Sequence, residues 1–118
     1  MKRNEFKFQF GAQALREAAE KKKMHHAGRL GHYENEFAAA DKEMTETARV
    51  EEVPITGGTQ RVLRYDQGLE QKVNKLRMKR DFHEKAYEGY ARWVRALTVT
   101  DGYTSFSLDI DDVEYFGL

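Results

Sequence analysis

At 118 residues, with 34% charged and 40% hydrophobic side chains, the chain has the length of one domain with a core of moderate size. Its apolar runs are only a few residues long, which excludes a membrane-spanning helix and a signal-peptide core. With no cysteine, disulfides, thiolate metal centres and cysteine nucleophiles are excluded as well, and a reducing cytoplasmic location is expected.

The formal net charge is zero, but it is assembled from blocks. Residues 1–30 carry eight Lys/Arg against three Asp/Glu, and residues 31–60 carry two against seven. Residues 61–98 carry ten against five, and residues 99–118 none against five. Alternating blocks of this kind are expected to neutralise one another within the fold.

In chain order, Glu5-Phe6-Lys7-Phe8-Gln9-Phe10 alternates strictly, predicting a strand over residues 5–10 with three phenylalanines on a buried face, ended by Gly11. A helical pattern then runs over residues 12–47. Ala12, Leu15, Ala19, His26, Leu30, Tyr33, Phe37, Ala40 and Met44 fall within an arc of about 80°. Gly28 and Gly31 each cost such a helix about 1 kcal/mol relative to alanine. The apolar stripe keeps its phase across them, so one helix is expected, bent there or closely approached by a neighbour.

Two short β-type runs around Gly57-Gly58 predict a hairpin over residues 49–65, with a primed turn that places both glycines at positive φ. Pro54 cannot donate a ladder hydrogen bond, so its strand is an edge or turns that N–H position outward. Asp66 is placed to cap a second helix over residues 67–98. In it Leu69, Val73, Leu76, Arg80, His83, Tyr87, Tyr90, Val94 and Leu97 recur at alternating steps of four and three, the seam of a coiled-coil partner.

The C-terminal half of that helix is broader. Phe82, Ala86, Tyr87, Tyr90, Ala91, Trp93, Val94 and Leu97 span about 180°, so it is expected to meet both a helix and the aromatic strands. Asp101-Gly102 predicts a turn, followed by an alternating strand over residues 103–110. Asp111 and Glu114 have capping-box spacing for a short C-terminal turn over residues 111–118, whose Tyr115, Phe116 and Leu118 are expected to tuck against the domain. The expected fold is a single α+β domain, residues 1–118, of order β-α-β-β-α-β. It is a long antiparallel, coiled-coil-like helical hairpin with a small antiparallel sheet.

An antiparallel hairpin would bring the acidic stretch Glu34, Glu36, Asp41, Glu43, Glu46 beside the basic stretch Lys72, Lys75, Arg77, Lys79. Arg16, Lys21, Lys22, Lys23, His25 and Arg29 are less well matched. The order strand–helix–Gly28-Arg29-Leu30-Gly31–helix–strand–strand–helix resembles the KH RNA-binding fold, whose Gly-x-x-Gly loop clamps nucleotides. That resemblance implies nucleic-acid contact through Lys21, Lys22, Lys23 and Arg29. The helix–hairpin–helix order is also similar to that of prefoldin-type chaperone subunits, from which the aromatic strands at both termini depart; no family is assigned.

Among the histidines, His25 and His32 share a helix face with Glu36, and His26 and His83 lie on the two seams. Histidines on charged helices are more economically solvated or half-buried than metal-bound, so neither metal nor cofactor is assigned. No phosphate-binding glycine loop, nucleophile elbow or isolated carboxylate pair supports an enzyme.

The expectation is therefore a non-catalytic protein-interaction or assembly module that pairs with itself as a dimer or higher oligomer. A small regulator or inhibitor acting by occupying a protein partner belongs to the same class. Leu69, Val73, Leu76, Arg80, Leu30, Tyr33 and Phe37 are its expected interface. Nucleic-acid binding through the basic helix faces is the alternative.

Overall fold

The computed structural model describes residues 5–118. The order is β1 (Phe8–Gly11), α1 (Ala12–Glu46), β2 (Arg49–Ile55), β3 (Gly58–Arg64), α2 (Gln67–Thr98), β4 (Ser105–Leu108) and α3 (Ile110–Phe116). It is a mixed α+β chain with two two-stranded antiparallel sheets, β1 with β4 and β2 with β3. Its contacts divide into two compact units. One combines the chain up to Arg29 with His83–Leu118; the other is Leu30–Phe82. Both long helices contribute a segment to each.

In the first unit, Ala12, Leu15, Ala18 and Ala19 of α1 form one cluster with Tyr90 and Leu97 of α2, Leu108 of β4 and Phe116 of α3. Small residues on α1 let α2 approach closely, and Phe10, Ala86, Val94, Phe106 and Val113 pack around the rim. Phe10 pairs with Phe106 and Phe8 with Leu108, so the terminal strands lay one apolar face on this cluster. The strand starts later than the alternation predicts. Phe6 lies before the strand and is exposed, and Phe8, although paired with Leu108 at the end of the ladder, is exposed too. Gly11 is the last residue of the strand, paired with Ser105, and the Ala12 N–H continues the tie by donating to the Thr104 carbonyl at 2.9 Å.

Residues 101–104 form the predicted Asp-Gly turn. The Asp101 side chain accepts from the Tyr103 N–H and its carbonyl from the Thr104 N–H, so the last strand begins at Ser105 rather than at residue 103. The C-terminal turn is a short helix whose cap lies two residues before the predicted one. Asp109, not Asp111, is the N-cap, and Asp112 closes the capping box in place of Glu114. The Asp112 N–H donated to its carboxylate holds the Asp109 pKa below the usual range. Gly117 ends α3 at φ 70°, a left-handed conformation that selects glycine. Phe116 is buried as expected, whereas Tyr115 and Leu118 remain partly exposed.

In the second unit, Ala40 of α1 packs with Val73 and Leu76 of α2, and Tyr33, Phe37 and Met44 close over them. Asp66 caps α2 as predicted, its carboxylate accepting from the Leu69 N–H at 2.9 Å. The β2–β3 turn is not the primed one expected. Both glycines have positive φ as expected, but Ile55 and Gly58 are paired, so the central residues are Thr56 and Gly57, and of these only Gly57 has positive φ. From that closing pair, alternation turns the Pro54 nitrogen to the open edge of β2, where the missing N–H costs no ladder bond.

α1 is continuous through Gly28 and Gly31, and a Cβ at either would meet nothing within 4 Å. The close approach allowed for in the sequence is thus absent at both. Gly28→Ala and Gly31→Ala are each expected to raise stability by about 0.5–1 kcal/mol, read as an upward shift in the urea midpoint. Destabilisation by either would show that the glycine serves a bend.

Candidate functional site

The residues expected to face a second copy are placed otherwise. Val73 is 1% and Leu76 7% exposed, covered by the chain's own α1, and Tyr33 and Phe37 pack half-buried against them. Leu30, Leu69 and Arg80 are half-buried. At Val73 and Leu76 the seam is filled within the chain.

The predicted matching of acids with bases takes another form too. Among the described residues, the acidic stretch finds its partners within α1: His32 Nε2 lies 3.2 Å from a Glu36 carboxylate oxygen, and Lys42 pairs with Glu46 at 3.9 Å. Of the bases of α2, Arg77, Lys79 and Arg80 lie over aromatic rings, and Arg80 also pairs with Asp81 at 3.0 Å. The Arg80 guanidinium is 4.5 Å and that of Arg77 5.6 Å from the Phe37 ring centre, and Lys79 Nζ is 5.5 Å from that of Tyr33. A half-covered ring beside a long cationic side chain offers about 0.5–1 kcal/mol, no less than an exposed ion pair, while the aliphatic stems cover apolar surface.

Of the basic group, Lys21 and Arg29 are exposed, and Lys22 and Lys23 are half-buried. The unbroken helix removes the Gly-x-x-Gly loop on which the KH resemblance rests, since no loop exists there to clamp a nucleotide.

The histidines of the first unit do come together. His26 Nδ1 and His83 Nδ1 are 2.8 Å apart across α1 and α2, and the His25 ring stands 5.1 Å from that of His26 and 6.5 Å from that of His83. Both pKa values are held below the ordinary histidine value. For His26 the causes are burial first, then His83, His25 and Lys22; for His83, burial first, then Arg29 and His25. Among the described residues no group of three or more His, Asp or Glu is placed to hold a metal ion.

A surface patch that the periodicity missed lies on the same unit. Trp93 and Tyr115 are each 41% exposed and flank a depression of about 330 Å³ whose floor is Gly89 and Ala96, with Arg92 at its side. Phe116 of α3 meets the Trp93 ring edge-on at 5.4 Å, and Tyr115 stacks on Tyr90 at 4.6 Å. Gly89 lies close under this packing: a Cβ there would be 3.3 Å from the Tyr115 hydroxyl, which would have to shift by a few tenths of an ångström. A second depression beside it is lined by Tyr87, Glu88, Ala91, Arg92 and Arg95. Gly89, Trp93 and Ala96 recur at four and three residues, so they form an outer stripe on α2 distinct from the seam. The broad apolar arc thus has two faces, and α3 half-covers the second, a task the sequence reading gave to the strands. Trp93 itself stood in that arc; its exposure depends on where α3 stops.

No helix among the described residues is long and apolar enough to cross a membrane. Comparison of the chain with protein families, with curated proteins and with solved structures finds no match.

Proposed function

We propose that the chain is a non-catalytic assembly module that pairs with a second copy of itself through the outer stripe of α2 and the adjoining face of α3. The observation that carries this reading is the exposed Trp93–Tyr115 pair over a floor of Gly89 and Ala96. Half-exposed aromatics beside an arginine have the composition of an interface centre, and small residues between them let a helix approach. The depression is shallow and open to solvent, whereas pockets that take drug-sized ligands enclose most of the ligand surface, which favours a macromolecular surface over a small-molecule one.

A second copy is favoured because the patch carries both signs. Glu88 stands one turn from Arg92, with Arg95 beyond it, so two such faces related by a two-fold axis present carboxylate to guanidinium. Ala96→Glu adds a charge to the floor at an exposed position. It is expected to lower the mass measured by light scattering to that of one chain, with the helical circular dichroism unchanged. Retention of the wild-type mass in that variant would remove this face as the contact.

A further inference from the structure

We propose that His26 and His83 form a proton-operated latch on α3. While the pair is neutral it fixes Tyr90 beneath Tyr115; when both rings are protonated it parts and loosens the last turn of α3.

The geometry is that of one hydrogen bond between two imidazoles, Nδ1 to Nδ1 at 2.8 Å. One ring donates and the other accepts, so the contact requires that at least one Nδ1 carry no proton. A first added proton enters at the outer Nε2 of the donor ring and leaves the bond in place. A second must occupy the accepting Nδ1, which sets two N–H groups and two positive charges against each other. The charged and titratable neighbours oppose that state. Lys22, His25 and Arg29 of α1 bear on the pair, and beyond it lie Tyr90 of α2 and Tyr115 of α3, neutral in this pH range.

The pair is connected to α3 through stacked rings. His26 lies parallel to Tyr90, with an interplanar angle of 9° and centres 5.6 Å apart. The Tyr90 hydroxyl donates to the Tyr115 carbonyl at 2.5 Å. That carbonyl lies in the last turn of α3, where helix geometry leaves acceptors without an intrahelical donor. Tyr90 therefore pins the end of α3, and His26 is what holds the Tyr90 ring at its other face.

The direction with pH follows from the depressed pKa values. Above the ordinary histidine value of about 6.5 both states of the chain hold neutral rings, and the pair adds no slope. As pH falls through that value the unfolded chain takes up protons first, so stability declines until the folded pair titrates in turn. The low pKa of the Asp109 carboxylate places its own titration below this window.

The test follows urea unfolding and the emission of Trp93, the chain's single tryptophan, from about pH 7.5 to about pH 5, across the histidine range. In the wild type the urea midpoint is expected to fall, and the emission of the folded protein to change as Phe116 leaves the Trp93 ring. His83→Gln should flatten the midpoint. Tyr90→Phe keeps the stack and removes the donor, so it should show the acid emission already at neutral pH. Should His83→Gln not fold, the ring-proton NMR shifts of the wild type read the pair directly, with His26 and His83 both titrating below the ordinary value. A wild-type midpoint that is flat over this range would overturn the latch, as would ordinary titration of both rings.

Discussion

Val73→Asp is expected to abolish the packing of α1 on α2 in the unit formed by residues 30–82 rather than to separate intact copies of the chain. Val73 is 1% exposed, between Ala40 and the rings of Tyr33 and Phe37. An ionised carboxylate there has no buried partner and costs several kcal/mol, a large part of the roughly 5–15 kcal/mol that stabilises an ordinary domain. Circular dichroism should show a loss of helix at neutral pH. A fully helical variant of reduced mass would mean instead that Val73 faces another chain.

Leu15→Ala carries the second large effect. Leu15 is also 1% exposed, and its neighbours Ala12, Ala18 and Ala19 are too short to fill the space it leaves. The loss should be about 2–5 kcal/mol by urea unfolding, towards the upper end because the site collapses poorly. A loss below about 1 kcal/mol would show that the cluster is looser than its burial implies.

The long elements were legible because their periodicity is strong. Every residue of the two stripes, from Ala12 to Met44 and from Leu69 to Leu97, is buried or half-buried. The hairpin and the existence of the terminal strands follow from alternation, and Asp66 from its position before an apolar repeat. What periodicity does not carry is which neighbour covers a face. Phe6 and Phe8 alternate as well as Phe10, yet of the three only Phe10 packs against the core cluster, which alternation alone does not specify. Val73 and Leu76 have the spacing of an oligomer seam whether α1 or a second chain lies opposite, and α1 does.

The charge pattern misled for a related reason. Formal charge records sign but not competition, and the rings of Phe37 and Tyr33 compete for Arg77, Lys79 and Arg80. Capping residues at a short helix are ambiguous when four acids lie within six residues. Asp109 rather than Asp111 wins because Ile110 already has helical geometry. The Trp93–Tyr115 patch was hidden by the same ambiguity, as a tryptophan in a broad apolar arc reads as core. The His26–His83 contact could be anticipated only as two histidines on facing seams. Its 2.8 Å geometry is a property of the packed helices.

The assembly reading is tested most directly by light scattering on the purified chain over a range of concentrations, with absorbance recorded at two wavelengths. A mass of two or more chains with a protein spectrum free of nucleic acid is the predicted result. A single-chain mass at every concentration would contradict it. A monomer carrying excess nucleic-acid absorbance would contradict it in favour of binding through Lys21, Lys22, Lys23 and Arg29.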